Sequence, residues 1–270
     1  MEKIVKNIVN QIKSKIDKAP DIAIILGSGL SDIANEMSDK VVLPYDELNG
    51  MPKSKVHGHK NQFIIGNFEG KTIIAMQGRF HLYDGFSAKE AVLPIYIFKE
   101  LGIKTLIVTN ASGAIAKDLN AGDIMLITDH INHTGQNPLI GGPIIDYGSQ
   151  FIDMTEPYDI EYRNKMLDIA KNLNIDLKQG IYIQFIGPFY ETKADIKMAS
   201  ILGADSVGMS TAIEVECARQ CNLKVLGLSL ITNKAAGLGE NKLSHTEVLE
   251  CGKTASKNLV ILIREFIKNI

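Results

Sequence analysis

The chain has little cysteine, arginine or histidine: three, four and six residues among 270, with a net charge of −2. An odd cysteine count argues against a disulfide framework and for a reducing compartment, so a cytoplasmic location is expected. The near balance of 29 Lys+Arg against 31 Asp+Glu excludes the basic excess of a protein that lives on nucleic acid or an anionic membrane. No apolar run approaches the roughly 18 residues a membrane-crossing helix needs. Signal-peptide character is also missing. Met1-Glu2-Lys3 mixes charges and leads into an amphipathic repeat, Ile4, Ile8, Ile12 and Ile16, that reads as a helix. With no internal repeat, low-complexity tract or linker-like shift in composition, one domain over residues 1–270 is expected.

What the chain does have is the balance of a soluble globular fold, 45% hydrophobic and 22% charged. A chain of this length buries roughly 73% of its unfolded surface and needs no covalent staple. Apolar runs at 22–26, 63–65, 72–76, 105–109, 124–128, 181–186 and 225–231 alternate with helical patterns. The helical patterns fall at 88–101, with Pro94 expected to kink it, and at 159–173, 192–202, 212–221 and 245–267. Continuous Val/Ile/Leu strands separated by helices predict an α/β fold with a mostly parallel central β-sheet flanked by helices on both faces. Residues 63–77 form two runs about Glu69-Gly70 and read as an antiparallel hairpin. The long irregular segment 134–157, rich in Gly, Pro and Asn, suits a functional loop or an interface.

Several polar clusters end these runs. Gly27-Ser28-Gly29 follows the first strand and precedes a helix start, where amides attract anions. Asp46 stands where a dinucleotide fold keeps its ribose-binding acid, but Asp32 occupies the third glycine position and would set a carboxylate beside the pyrophosphate. A small-anion loop and a plain tight turn both remain open there. Arg79 and His81 lie two apart after a strand between Gly78 and Gly85, so in extended backbone they share a face. Arg offers a permanently charged fork for phosphate, and His a tunable donor. His57 and His59 flank Gly58. His130 and His133 do not share a face, and no third ligand falls at metal spacing, so no metal is expected. Cys217 and Cys221 read as buried free thiols. Thr109-Asn110-Ala111-Ser112-Gly113 and Thr232-Asn233-Lys234 follow apolar runs, as ligand-binding turns at the carboxyl edge of a parallel sheet do; tight-turn chemistry selects the same residues. Glu191 follows Gly187-Pro188-Phe189-Tyr190 and suits either an amide-bearing heterocycle or a helix first turn. Together these give an anion-binding set (Ser28, His59, Arg79, His81 and the turn at Ala111) and a heterocycle-binding set (Tyr190, Glu191, Asn233).

The ordered motifs GSGL at 27–30, GH at 58–59, QGRFHLYDG at 77–85, TNASGA at 109–114, GQNPL at 135–139, GPFYET at 187–192, GADSVGMST at 203–211 and LSLITNKAAG at 228–237 closely resemble the trimeric-type purine nucleoside phosphorylases over nearly the whole length. The resemblance implies that Ser28, His59, Arg79, His81, the backbone at Ala111 and Ser210 hold phosphate. It places Tyr83, Met209 and His245 at the ribose, and Tyr190, Glu191, Val207 and Asn233 around the purine. His81, Glu191 and Asn233 are the implied catalytic residues. Tyr147 takes the place of an aromatic that reaches into a neighbouring subunit. A homotrimer using inorganic phosphate as co-substrate, with no cofactor and no metal, follows from the same resemblance.

The implied chemistry is phosphorolysis of the bond between C1′ and purine N9, through a sugar with oxocarbenium character. Phosphate must lie below C1′, oriented and kept from water. The leaving purine needs its charge stabilised at N7. Asn presents a donor and an acceptor, so Asn233 suits N7 together with O6, while Glu191 accepts from N1–H. This predicts inosine and guanosine over adenosine. A methylthioadenosine phosphorylase is the alternative, disfavoured by Asn233 and by the polar His245; a non-catalytic nucleoside-binding protein and a dinucleotide-dependent oxidoreductase are more remote. The sequence departs from the family pattern at Lys60-Asn61 after His59, at Asp84 where Glu is commoner, and at Ser112 where Ala is frequent.

Overall fold

The apolar runs of the sequence become strands whose alternate side chains enter two different cores. In the computed structural model, residues 1–27, 32–54, 60–142, 147–239 and 245–270 are described, with Asp32 and 245–255 described by backbone alone. The strands are β1 (Ile22–Leu26), β2 (Ser38–Pro44), β3 (Gln62–Phe68), β4 (Lys71–Gln77), β5 (Thr105–Ala114), β6 (Ile124–Asn132), β7 (Leu177–Gln184), β8 (Ser206–Gly208) and β9 (Lys224–Lys234). The helices are α1 (Glu2–Lys13), α2 (Asp32–Glu36), α3 (Ala88–Ala91), α4 (Leu93–Glu100), α5 (Ile160–Asn172), α6 (Lys193–Ile201), α7 (Ala212–Gln220) and α8 (His245–Lys268).

All five residues of β1 are buried. Ala23 and Ile25 join a cluster with Val5 and Ile8 of α1, Phe98 of α4 and Cys217 of α7. Ile22, Ile24 and Leu26 turn the other way, toward Ile33 of α2, Met166 of α5 and Phe266 of α8. The strand period of two thus feeds one core on each face of the sheet. A third, smaller cluster sits under α6 and joins Ile115, Ile183, Ile196, Ala199, Ala204, Val207 and Ala235.

The sheet runs β2-β3-β4-β1-β5-β8-β7-β6-β9, with β9 pairing back onto β5. Five of the nine pairings are parallel, β1–β4, β1–β5, β5–β9, β6–β7 and β7–β8, so the sheet is mixed with a parallel majority. The return of β9 closes β5, β8, β7, β6 and β9 into a ring, from which β1, β4, β3 and β2 extend as an open sheet. β5 is long enough to serve both: Thr105–Val108 pair with β1, and Gly113 and Ala114 pair with β8.

The hairpin about Glu69-Gly70 forms as β3 and β4. Pro94 does not kink one helix; α3 and α4 are separate, broken at Val92, with Pro94 in the first turn of α4, where a missing amide costs nothing. The sequence patterns miss β2, a mostly exposed edge strand, and β8, which has only three residues.

Candidate active site

One cavity opens where β4, β5 and β9 end at their carboxyl edge. Arg79, His81, Tyr83, Ala111, Tyr190, Glu191, Val207, Met209, Ser210 and Asn233 all line it, so the structure brings ten predicted site residues together. Ser28 and His59 lie outside the described residues. His245 is the first residue of α8, and its side chain is likewise outside them.

The anion end is built around Arg79, whose side chain is 3% exposed. Its Nε donates to Glu214 Oε1 at 3.2 Å, and its Nη2 stands 3.1 Å from Oε2 as an ion pair. Nη1 donates to the Thr109 carbonyl and to the Ser210 hydroxyl, both at 2.9 Å. The guanidinium is therefore held in one plane by four contacts from β5, α7 and the turn before it. Burial pushes the Glu214 carboxyl up and Arg79 draws it back down. The turn that presents Ser210 is strained. Thr211 has φ 86° and ψ −56°, and the Ala212 amide donates to the Ser210 carbonyl at 3.1 Å, a γ-turn of positive φ that a β-branched residue rarely adopts. Asn110 holds it in place: its Nδ2 donates to the Thr211 hydroxyl at 2.9 Å, and its Oδ1 accepts from the Ser229 hydroxyl at 2.6 Å. Gly27 ends β1 against β5, where a Cβ would stand 2.8 Å from the Asn110 Cα. Its amide donates to the Thr109 hydroxyl at 3.0 Å.

His81 and Tyr83 stack with ring centroids 4.5 Å apart and form one wall. Nearby, Asp84, the shortened acid, accepts from the Ser54 hydroxyl at 2.9 Å. Ser112 keeps a buried hydroxyl with no protein hydrogen bond on the cavity lining, so it is available to a ligand.

The base end depends on strand register. Gly113 of β5 faces Asn233 of β9, but Ser112 faces Ile231, which leaves Thr232 as an extra residue. Such a bulge re-aims the side chains beside it, and Thr232 and Asn233 both reach the cavity. Asn233 Oδ1 accepts from the Thr232 hydroxyl, and its Nδ2 donates to the Lys234 carbonyl, each at 2.8 Å. Glu191 is not in a helix first turn: it directly precedes Thr192, the N-cap of α6. Thr192 and Asp195 bond reciprocally in a capping box, which fixes the path of the chain there. The Glu191 side chain is buried against the cavity, and that burial raises its carboxyl above the usual range.

Tyr147 stands apart. It is 2% exposed, stacks on Tyr96 at 5.6 Å, and its hydroxyl donates to Glu100 at 2.9 Å. Its ring is thus engaged within its own chain. His130 and His133 diverge, onto Tyr158 and Phe185 respectively. Cys217 and Cys221 are free and buried.

Sequence reasoning missed Glu214 and Thr211. The signal was present for Glu214, a carboxylate inside the apolar run Ala212-Ile213-Glu214-Val215, since a buried acid must be paired.

A carboxyl-edge cavity with a fixed guanidinium at one end and an amide and carboxylate at the other defines a nucleoside- or nucleotide-handling site on an α/β scaffold. The chain belongs to the phosphorylase superfamily, whose family profile matches residues 21–268. It is 43% identical to purine nucleoside phosphorylase 1 of Bacillus subtilis over 256 residues, covering 95% of this chain and 94% of that protein. It is 40% identical to the purine nucleoside phosphorylase of Mus musculus, covering 93% and 89%. Among solved structures, Schistosoma mansoni purine nucleoside phosphorylase in complex with inosine superposes with a TM-score of 0.94 at 34% identity, covering 99% of this chain and 96% of that one.

Proposed function

We propose that the chain catalyses reversible, phosphate-dependent cleavage of the N-glycosidic bond of 6-oxopurine nucleosides and deoxynucleosides. The products are the free base and (deoxy)ribose 1-phosphate, a pentosyl transfer suited to purine salvage. One observation carries the reading: a single cavity holds an immobilised guanidinium and, across it, an Asn and a carboxylate turned inward by a strand bulge and a capping box. Phosphate lies against Arg79, His81, Ser210 and the backbone at Ala111, with Ser28 and His59 completing the set. Arg79 arrives already oriented, so binding orders no flexible side chain. The sugar lies on Tyr83 and Met209, with His245 toward the 5′ hydroxyl, and the purine lies among Tyr190, Val207, Glu191 and Asn233. As the C1′–N9 bond breaks, electron density moves into the purine. The Asn233 amide donates to N7, and the Glu191 carboxylate accepts from N1–H and holds the base in place.

Inorganic phosphate is the co-substrate in this scheme, and no cofactor or metal enters it. The homotrimer is part of the proposal, supported by the exposed Ile140 and Phe151 on the irregular segment 134–157. Among the described residues no helix is long and apolar enough to cross a membrane; a cytoplasmic enzyme suits the free thiols. The test is base release from inosine, guanosine, adenosine and methylthioadenosine, each with and without phosphate. Phosphate-dependent release from inosine and guanosine is expected. Preference for methylthioadenosine would overturn the base and 5′ assignments, and no release from any of them would overturn catalysis.

A further inference from the structure

A second cavity, of about 640 Å³, lies behind the base end of the catalytic one. Four lysines line it, Lys117, Lys193, Lys197 and Lys234, and no carboxylate does among the described residues. Some lysines elsewhere are ion-paired: Lys15 with Glu47, Lys224 with Glu161, Lys268 with Glu265. Among the described residues none of the four cavity lysines belongs to an ion pair. Lys234 is anchored, its ammonium donating to the carbonyls of Lys117 and Leu119. Those carbonyls are neutral, so its charge stays uncompensated. The floor is apolar, from Ile115, Ile196 and Ala236, and the rim carries Ile201 and Leu238, which are 76% and 51% exposed.

Four cations lining one cavity, with no counter-charge among its described lining residues, repel one another, and an anion placed among them relieves that cost. Lysine ammoniums are point charges on flexible stems, so they accept a carboxylate, sulfonate or phosphate without demanding a bidentate fit. The volume lies within the range of about 300–1,000 Å³ that small organic ligands occupy. We propose that this cavity is a second binding site, taking a small organic anion with an apolar or aromatic body. The body rests on Ile115 and Ile196, and the anionic group sits among the lysines.

The cavity is built from the same pieces as the catalytic one. Lys234 follows Asn233, Lys193 stands two residues after Glu191, and Ala236 follows Ala235, a catalytic-cavity residue. The small cluster that supplies Ile115 and Ile196 to its floor also contains Val207 and Ala235, which line the purine pocket. A ligand in the second cavity therefore packs against the back of the purine pocket.

The test is a fluorescence titration of the full chain with anilinonaphthalene sulfonate, in the presence and absence of saturating hypoxanthine and phosphate. Saturable binding that survives hypoxanthine and phosphate is expected. The double variant Lys117→Glu, Lys197→Glu reverses two exposed side chains outside the catalytic cavity and is expected to bind at least about tenfold more weakly. A control reversing two distant exposed lysines, Lys3→Glu with Lys171→Glu, is expected to bind as the wild type does. Displacement by hypoxanthine and phosphate, equal binding in the cavity variant, or equal loss in the control would each overturn the proposal. None of these readings needs turnover, so a failure of the catalytic reading is seen separately, as absent base release.

Discussion

At the anion end of the catalytic cavity the ionic and hydroxyl side chains hold one another, whereas at the base end the polar groups hold mostly their own backbone. Arg79 has its nitrogens on Glu214, Thr109 and Ser210, and the turn behind Ser210 is tied down through Thr211, Asn110 and Ser229. Among the described residues the Asn233 side chain bonds only to Thr232 and Lys234, its chain neighbours. Glu191 is buried with no cation among the described residues to offset the burial, and Phe189, two residues away, is 71% exposed. The difference fits the two ligands. A phosphate is small, always charged and always the same, so a fixed guanidinium serves it. A purine is large and must enter and leave, so its contacts are set by short local devices, a bulge and a helix cap, that a bound base can draw into its own hydrogen bonds.

The comparison breaks hardest at the Arg79–Glu214 pair. Glu214→Leu strands a buried guanidinium and should cost about 3–5 kcal/mol in urea unfolding. Removing both charges, as Arg79→Met with Glu214→Leu, should restore most of that stability, because well-packed apolar replacements of a buried pair are about neutral or better. Phosphorolysis should not return: its rate should stay at least about a hundredfold down, since the group opposing the phosphate charge is gone. Recovery of activity with stability would show that the anion end lies elsewhere.

At the base end, Asn233→Asp should leave stability nearly unchanged and shift the ratio of kcat/KM for adenosine over inosine upward by at least about a hundredfold. An unmoved ratio would remove Asn233 from the base. Glu191→Gln should lower kcat/KM for inosine by roughly 10–100-fold, the worth of one hydrogen bond to a charged acceptor. Because burial raises the Glu191 carboxyl, the wild type should lose activity on the acid side above the ordinary carboxylate range, and the variant should lack that limb.

The smallest effect is expected two residues along α7 from Glu214, at Glu216. Asn132 donates to it at 2.8 Å, His130 stands 4.0 Å from it, and burial pushes it up to about 7. Its folded pKa exceeds its unfolded one, so its contribution is full below about 4.5 and is lost as pH rises toward 7. Glu216→Gln should therefore gain on the wild type across that window, by roughly 1–2 kcal/mol after allowance for its partial exposure. Burial holds His130 down at about 4, so it is neutral through most of that window, and the difference between the two proteins reports mainly on Glu216.

Much of this architecture was legible because it rests on short-range pattern. Uninterrupted apolar runs marked the strands, and the alternation Arg79, Phe80, His81 set two polar side chains on one face. Less was legible where geometry depends on a distant partner. The bulge that turns Asn233 inward exists only when β9 pairs with β5, more than 100 residues earlier. Glu214 reads as a misplaced acid until Arg79 is seen beside it. Tyr147 stacks on Tyr96, a contact no local pattern announces. β2 carries too few buried residues to read as a strand, and β8 is too short.

The central claim is that phosphate held against Arg79, and not water, attacks C1′. The direct test is turnover of inosine with phosphate in water enriched in heavy oxygen, with the sugar product identified by mass. The account predicts ribose 1-phosphate, formed one for one with hypoxanthine and carrying no solvent oxygen at C1′. Free ribose labelled at C1′ from the first turnover would contradict it.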